Sequence, residues 1–140
     1  MSFSVFLSFS GNCKEAVNFY SEVFETPKSE FRLFKDCPSE IYSPKKEEID
    51  LICYTHLDIM GTLVMFSDVP KSVYFNIGNN ITLTFDINSR EKIKSLFDRL
   101  KIGGKIKMEL QKTFWSDYYG MVTDKFGIPW QFSYSCKTCC

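Results

Sequence analysis

Histidine is almost missing from this 140-residue chain, in which His56 stands alone. That excludes any site built from several imidazoles, the commonest side-chain ligands of transition metals. An excess of one charge is missing too, because 17 Lys and Arg balance 17 Asp and Glu. The balance argues against a nucleic-acid binder, which carries a basic excess gathered on one face. It argues equally against an acidic disordered chain, since 44% of the residues are hydrophobic. No apolar run is long enough for a membrane span, and the opening residues lack the basic segment of a secretory signal. The expected compartment is therefore the cytoplasm, with reduced thiols. What the chain has in plenty is aromatic residues: 14 Phe, 7 Tyr and 2 Trp. They fit a well-filled core, an aromatic-lined pocket, or both. A chain of this length buries roughly 68–70% of its unfolded surface, so folding needs neither disulfides nor a metal.

Six cysteines are present. Cys13 and Cys53 fall inside periodic segments and read as small buried hydrophobes. The tail Cys136-Lys-Thr-Cys139-Cys140 contains a C-x-x-C whose thiolates would hold zinc, but a structural zinc wants four ligands. No matching Cys/His pair exists elsewhere, and the other reading is an oxidisable tail.

Residues 3–9 are apolar and β-prone, which predicts a strand. Asn12 is a good helix N-cap, with Glu15 at capping-box spacing. Ala16, Val17, Phe19, Tyr20, Val23 and Phe24 follow at roughly helical spacing, and Pro27 stops that helix. Residues 29–35 predict a second strand. The polar stretch 36–50, with Pro38 and Pro44, reads as a long loop or lid. Residues 51–57 and 63–67 predict a hairpin around Gly61. The pattern then repeats. Residues 80–86 alternate as a half-buried strand, and Ser89 caps a helix with Ile93, Leu96, Phe97 and Leu100 on one face. Gly103-Gly104 ends it. Strands are predicted at 105–111, 115–123 and 128–134. The last two are joined by a turn, Asp124-Lys125-Phe126-Gly127, in which Gly allows positive φ. The expected fold class is α+β. Two βαβββ modules, 1–68 and 79–135, are joined by a linker at 69–78 and followed by the Cys-rich tail 136–140. Paired, they would form a curved mixed sheet with helices outside and a concave interior.

The duplicated pattern resembles the glyoxalase/bleomycin resistance/dioxygenase (vicinal oxygen chelate) superfamily. More narrowly, the chain is similar to the PhnB-like branch, often labelled 3-demethylubiquinone-9 3-methyltransferase-like. The matching stretches are Phe9–Tyr20, His56–Gly61, Met65–Asp68, Gln111–Trp115 and, most specifically, Tyr119–Trp130. The superfamily's enzymes hold a divalent ion with His and Glu from four strands. Carried over position by position, those ligands fall on Val5, Met65, Asn80 and Gln131. Val5 and Met65 offer nothing to a hard cation, and the two amides offer only neutral oxygens. The resemblance thus brings no metal and no cofactor to this chain. The methyltransferase label finds no glycine-rich strand-to-helix turn, since Ser10-Gly11-Asn12 and Ile87-Asn88-Ser89 are short and glycine-poor.

If those four positions face the cavity, alternation adds Leu7, Thr82, Thr84 and Ser133. The other reading is that all of them simply fill the interior. His56 shares a strand face with Ile52 and Tyr54. Paired to Asp58 or Asp68 it would serve as acid or base near neutral pH, or it is a hydrogen-bonded structural residue at the hairpin. Trp115, Tyr118 and Tyr119 stack on a planar ligand, pack the core, or meet a second copy. The sequence points to a metal-free small-molecule-binding protein with His56, Met65, Asn80, Thr82, Trp115, Tyr119 and Gln131 as ligand-binding residues. Resemblance to the superfamily implies a homodimer; no nucleic acid and no membrane are expected as partners. The alternative is a lyase, isomerase or dioxygenase-type enzyme with an atypical metal or acid–base site, His56 being its catalytic candidate.

Overall fold

The computed structural model describes residues 1–37 and 43–135. The chain divides into two compact units, Met1–Asn76 and Ile77–Cys140. The first unit runs β1 (Val5–Phe9), α1 (Cys13–Val23), β2 (Arg32–Leu33), β3 (Ile52–Ile59) and β4 (Thr62–Asp68). The second runs β5 (Leu83–Ile87), α2 (Arg90–Leu100), β6 (Lys105–Gln111), β7 (Tyr119–Thr123) and β8 (Pro129–Tyr134). The sheet orders are β1-β4-β3-β2 and β5-β8-β7-β6, so the repeat seen in the sequence pattern is a repeat of topology. In each unit the first strand pairs parallel with the last, and the other pairs are antiparallel. The glyoxalase-type α+β fold expected from the sequence is the fold of this chain. No described helix is long and apolar enough to cross a membrane.

Each helix covers one face of its own sheet, and aromatic rings form the contact. In the first unit Tyr20 of α1 lies 5.9 Å from Phe66, which stacks in turn on Phe9 at 6.2 Å. In the second, Phe97 meets Phe132 edge-on at 6.1 Å, while Phe85 stacks on both Phe132 and Trp130. Tyr20, Phe66, Phe97 and Phe132 are fully buried. At roughly 1.5–3 kcal/mol for each such side chain, these rings are a large part of what drives the sheets and helices together.

Two buried carboxylates organise the backbone. Asp68, at the end of β4, accepts from Cys13 N through Oδ1 (3.0 Å) and from Ile52 N through Oδ2 (2.9 Å). It therefore caps α1 from another strand and fixes the start of β3. Asp124 does the corresponding work in the second unit. Its Oδ1 accepts from Phe126 N and Ile128 N, and its Oδ2 from Trp130 Nε1 at 2.8 Å. The turn it closes needs the φ of +88° at Gly127, as the residue pattern predicts. Ser89 caps α2 by accepting from Lys92 N, also as predicted.

Four expectations change. Asn12 occupies the N-cap of α1, but its backbone (φ −112°, ψ 23°) is not the extended one a capping side chain needs and it makes no capping hydrogen bond; the first helical N–H goes to Asp68. The strand expected over 29–35 shrinks to two residues: Phe34–Asp36 turns into a 3-10 helix, with Phe34 N donating to Leu51 O. The strand expected at 80–86 starts at Leu83, so Asn80 and Thr82 precede it. The strand expected from 115 starts at Tyr119, because a turn occupies the residues before it. Of the 36–50 loop, residues 38–42 lie outside the described residues, as does the tail 136–140 with its C-x-x-C.

Replacing Asp68 by Asn removes the charge from both hydrogen bonds and should cost about 1.5–3 kcal/mol, read as a lower urea midpoint with unchanged slope. Cys13 is fully buried, and burial, helped by the Asp68 carboxylate, pushes its thiol far above the usual 9.0. Below that value the thiol is protonated in both folded and unfolded chains. Above it only the unfolded chain releases the proton, so this part of the stability is lost as pH rises. The stability difference between wild type and Cys13→Ala should therefore shrink between pH 8 and 10.5 in urea titrations.

Candidate functional site

The face of each sheet turned away from its helix carries the candidate residues, and strand register decides which ones. In the second unit Thr84 pairs with Gln131, and Gln131 with Met121. Asp86, Ser133, Tyr119 and Gln111 form the next rank across the strands. Phe85 and Phe132 alternate to the opposite, helix-covered face. Tyr119 Oη donates to Gln131 Oε1 at 2.6 Å, and Gln131 Nε2 donates to Thr84 Oγ1 at 2.7 Å. Three strands are thus linked by one directional chain of hydrogen bonds. Among the described residues it leaves unused the hydroxyl hydrogen of Thr84 and one amide hydrogen of Gln131.

Beside this chain stands an exposed aromatic group. Trp115 meets Tyr119 edge-on at 5.2 Å and Phe114 at 4.7 Å. Phe114 is 97% exposed and Trp115 54%. Large rings are held in solvent because the turn beneath them is tightly bonded. Thr113 N donates to Ser116 O at 2.8 Å, and Ser116 N donates to Thr113 Oγ1 at 3.2 Å. Buried Ser116 Oγ donates to Tyr118 O and accepts from Tyr134 N at 3.1 Å. A cleft of about 550 Å³ opens here, with Asp86, Lys112, Trp115 and Ser133 in its wall. Arg90, at the start of α2, lies over the rings of Tyr118 and Tyr134 and braces one side. Sequence reasoning missed Ser116, Lys112 and Asp86. The Thr-x-x-Ser spacing at 113–116 was the available signal for the turn.

In the first unit His56 pairs across the strands with Met65, and Met65 with Phe6. Val5 pairs with Val64 and so lies on the helix side, opposite Met65. The carried-over first-strand position therefore does not share a face with the carried-over fourth-strand one, and period-two alternation is the reason. His56 sits 5.9 Å from the Tyr54 ring, and the two line a cleft of about 380 Å³ with Arg32 and Asp36. Its Nδ1 is buried with no hydrogen-bond partner among the described residues. Neither expected carboxylate serves it. Asp58 Oδ1 accepts from Gly61 N at 2.7 Å, and Asp68 faces the helix with both oxygens taken.

The four carried-over positions do not fit a divalent ion. Val5 lies on the wrong face, Met65 offers a thioether, Asn80 precedes its strand, and Gln131 has its oxygen occupied by Tyr119. Among the described residues no three or more His, Cys, Asp or Glu side chains gather in a way that would hold a metal. No step through a metal is derived.

Comparison with known proteins places these features in a context. The profile of the family described as 3-demethylubiquinone-9 3-methyltransferase matches residues 1–133. The Escherichia coli protein YjdN is 36% identical over 141 residues, covering 93% of this chain and 92% of its own. Protein PA1353 of Pseudomonas aeruginosa is 27% identical with a TM-score of 0.86, over 96% of this chain and 98% of that one. A Bacillus cereus PhnB protein is 24% identical with a TM-score of 0.70, over 96% and 100% of the two chains, and shares the fold.

Ser116→Ala should cost about 0.5–1.5 kcal/mol, because it removes the hydroxyl that joins Tyr118 to the turn while Tyr134 N keeps its bond to Tyr118 O, and should shift Trp115 emission to the red as the turn loosens. Thermal unfolding followed by fluorescence measures both.

Proposed function

The chain belongs to the 3-demethylubiquinone-9 3-methyltransferase-like family, the PhnB-like branch of the glyoxalase superfamily, and from that membership we propose that it is a metal-free small-molecule-binding protein. Its ligand is planar and aromatic and carries a hydrogen-bond acceptor such as a carbonyl or ring nitrogen. The observation that carries this reading is the directional chain Tyr119–Gln131–Thr84 beside exposed Trp115. The phenol fixes the Gln131 amide, and the amide uses the Thr84 oxygen as acceptor. What both groups still offer outward is N–H and O–H. A face that offers these donors next to an exposed indole suits an aromatic ligand with an acceptor. The family's descriptive label names a methyl transfer. It receives no support from the strand-to-helix turns, whose N–H groups go to Asp68 and Ser89.

A second reading, an enzyme of the same superfamily working by acid–base chemistry, is supported by the Nδ1 of His56, buried at its cleft with no partner among the described residues. The two readings separate by experiment. Calorimetric titration with a panel of planar aromatic carbonyl compounds should find binding that Trp115→Ala weakens roughly tenfold, about 1.4 kcal/mol. Thr84→Val should weaken binding of the carbonyl compounds but not of their carbonyl-free analogues. If no compound binds, or Trp115→Ala leaves affinity unchanged, the ligand reading fails. Conversion of a bound compound that is lost in His56→Gln and kept in Trp115→Ala would favour the enzyme.

A further inference from the structure

The first unit holds two thiols side by side that neither the fold nor the ligand face uses. β2 ends after two residues, but the chain does not leave the sheet. Leu33 pairs with Ile52, Phe34 N donates to Leu51 O at 3.0 Å, and Lys35 N donates to Ile49 O at 3.1 Å. The 3-10 turn Phe34–Asp36 is thereby folded back along the start of β3, and Cys37 N closes it by donating to Phe34 O at 3.1 Å. This brings Cys37 next to Cys53 of β3, close enough for a hydrogen bond between the two side chains. Both are free thiols and both are half-buried. Cys13, by contrast, is fully enclosed at the start of α1. Each member of the pair also adjoins the His56 cleft: Asp36 precedes Cys37, Tyr54 follows Cys53, and both Asp36 and Tyr54 line it.

We propose that Cys37 and Cys53 form an oxidation site that a hydroperoxide converts to an intramolecular disulfide, tying the Phe34–Asp36 turn to β3 and fixing the wall of the His56 cleft. Burial, followed by the hydrogen bond and charge of Cys37, pushes the Cys53 thiol up to about 11 against the pull of Arg32. Cys53 is therefore the weaker nucleophile, and the first attack falls to Cys37. Its thiolate takes the distal oxygen of the peroxide; the O–O bond breaks, a sulfenic acid forms, and one water or alcohol leaves. The Cys53 sulfur then attacks the Cys37 sulfur. The S–O bond breaks, the S–S bond forms at about 2.05 Å, and the thiol proton leaves with the hydroxyl as water. Two electrons and two thiol hydrogens pass to the peroxide, which supplies the whole oxidation.

The site lies within the first unit, draws on no residue of the second, and stands or falls without the ligand reading. The test is to treat the reduced full-length protein with hydrogen peroxide, block remaining thiols with iodoacetamide, and map the peptides by mass spectrometry. The expected product is a peptide joining Cys37 to Cys53 that has lost two hydrogens and is released by dithiothreitol, with Cys13 still reduced. Peptide mapping keeps the tail cysteines separate from this pair. The oxidised protein should melt several degrees higher than the reduced one, because the closed loop restricts the unfolded chain. In Cys53→Ser the reaction should stop at a Cys37 sulfenic acid that dimedone traps. Alkylation of both cysteines after peroxide, Cys37 running on to sulfinic acid without the cross-link, or Cys37 joined only to a tail cysteine would each overturn the proposal.

Discussion

Each unit depends on a carboxylate removed from water that accepts from backbone donors and, in the second unit, from an indole as well. Asp68 holds the first N–H of α1 and the first N–H of β3 at once, so helix and sheet cannot shift independently. Asp124 holds a turn and the Trp130 indole in the same way, and Trp130 stacks on Phe85. A buried carboxylate is tolerable only when its lone pairs are filled, and here they are filled by groups that would otherwise be orphaned. Because Asp68 is committed to structure, it is not free to serve His56.

The two open faces differ despite their common topology. In the second unit alternation places Thr84, Gln131 and Tyr119 in one hydrogen-bonded row, and the Thr113–Ser116 turn lifts Phe114 and Trp115 beside it. In the first unit the equivalent face carries Met65, His56 and Tyr54, without such a row. Its distinguishing chemistry is the cleft at Arg32 and the thiol pair behind it. Duplication has kept the backbone plan and changed the side chains that give each face its use.

Much of this was legible before any coordinates. Both helices follow from their apolar spacing, the Asp124–Gly127 turn from its residue types, and the duplicated order from the repeat of patterns. The errors are equally instructive. A capping box at Asn12 is a local motif that the backbone there does not complete, and the helix start is held instead by a carboxylate 55 residues away. The 29–35 segment has strand-like residues, but only two of them find ladder partners. Cys53 reads as a buried hydrophobe until Cys37 is brought beside it.

Local periodicity, breakers and turn chemistry determined the elements, their order and the helix-facing core, because those preferences act over a few residues. The tertiary structure decided what lies across from what. A one-residue difference in register puts Val5 with Val64 rather than Met65, and so removes it from the face where a metal ligand was sought. The same pairing sets Gln131 between Tyr119 and Thr84 and makes an amide that the sequence marked only by resemblance the centre of the candidate site. Contacts between residues dozens of positions apart depend on strand pairing, and pairing is settled only when the whole hydrophobic face is buried.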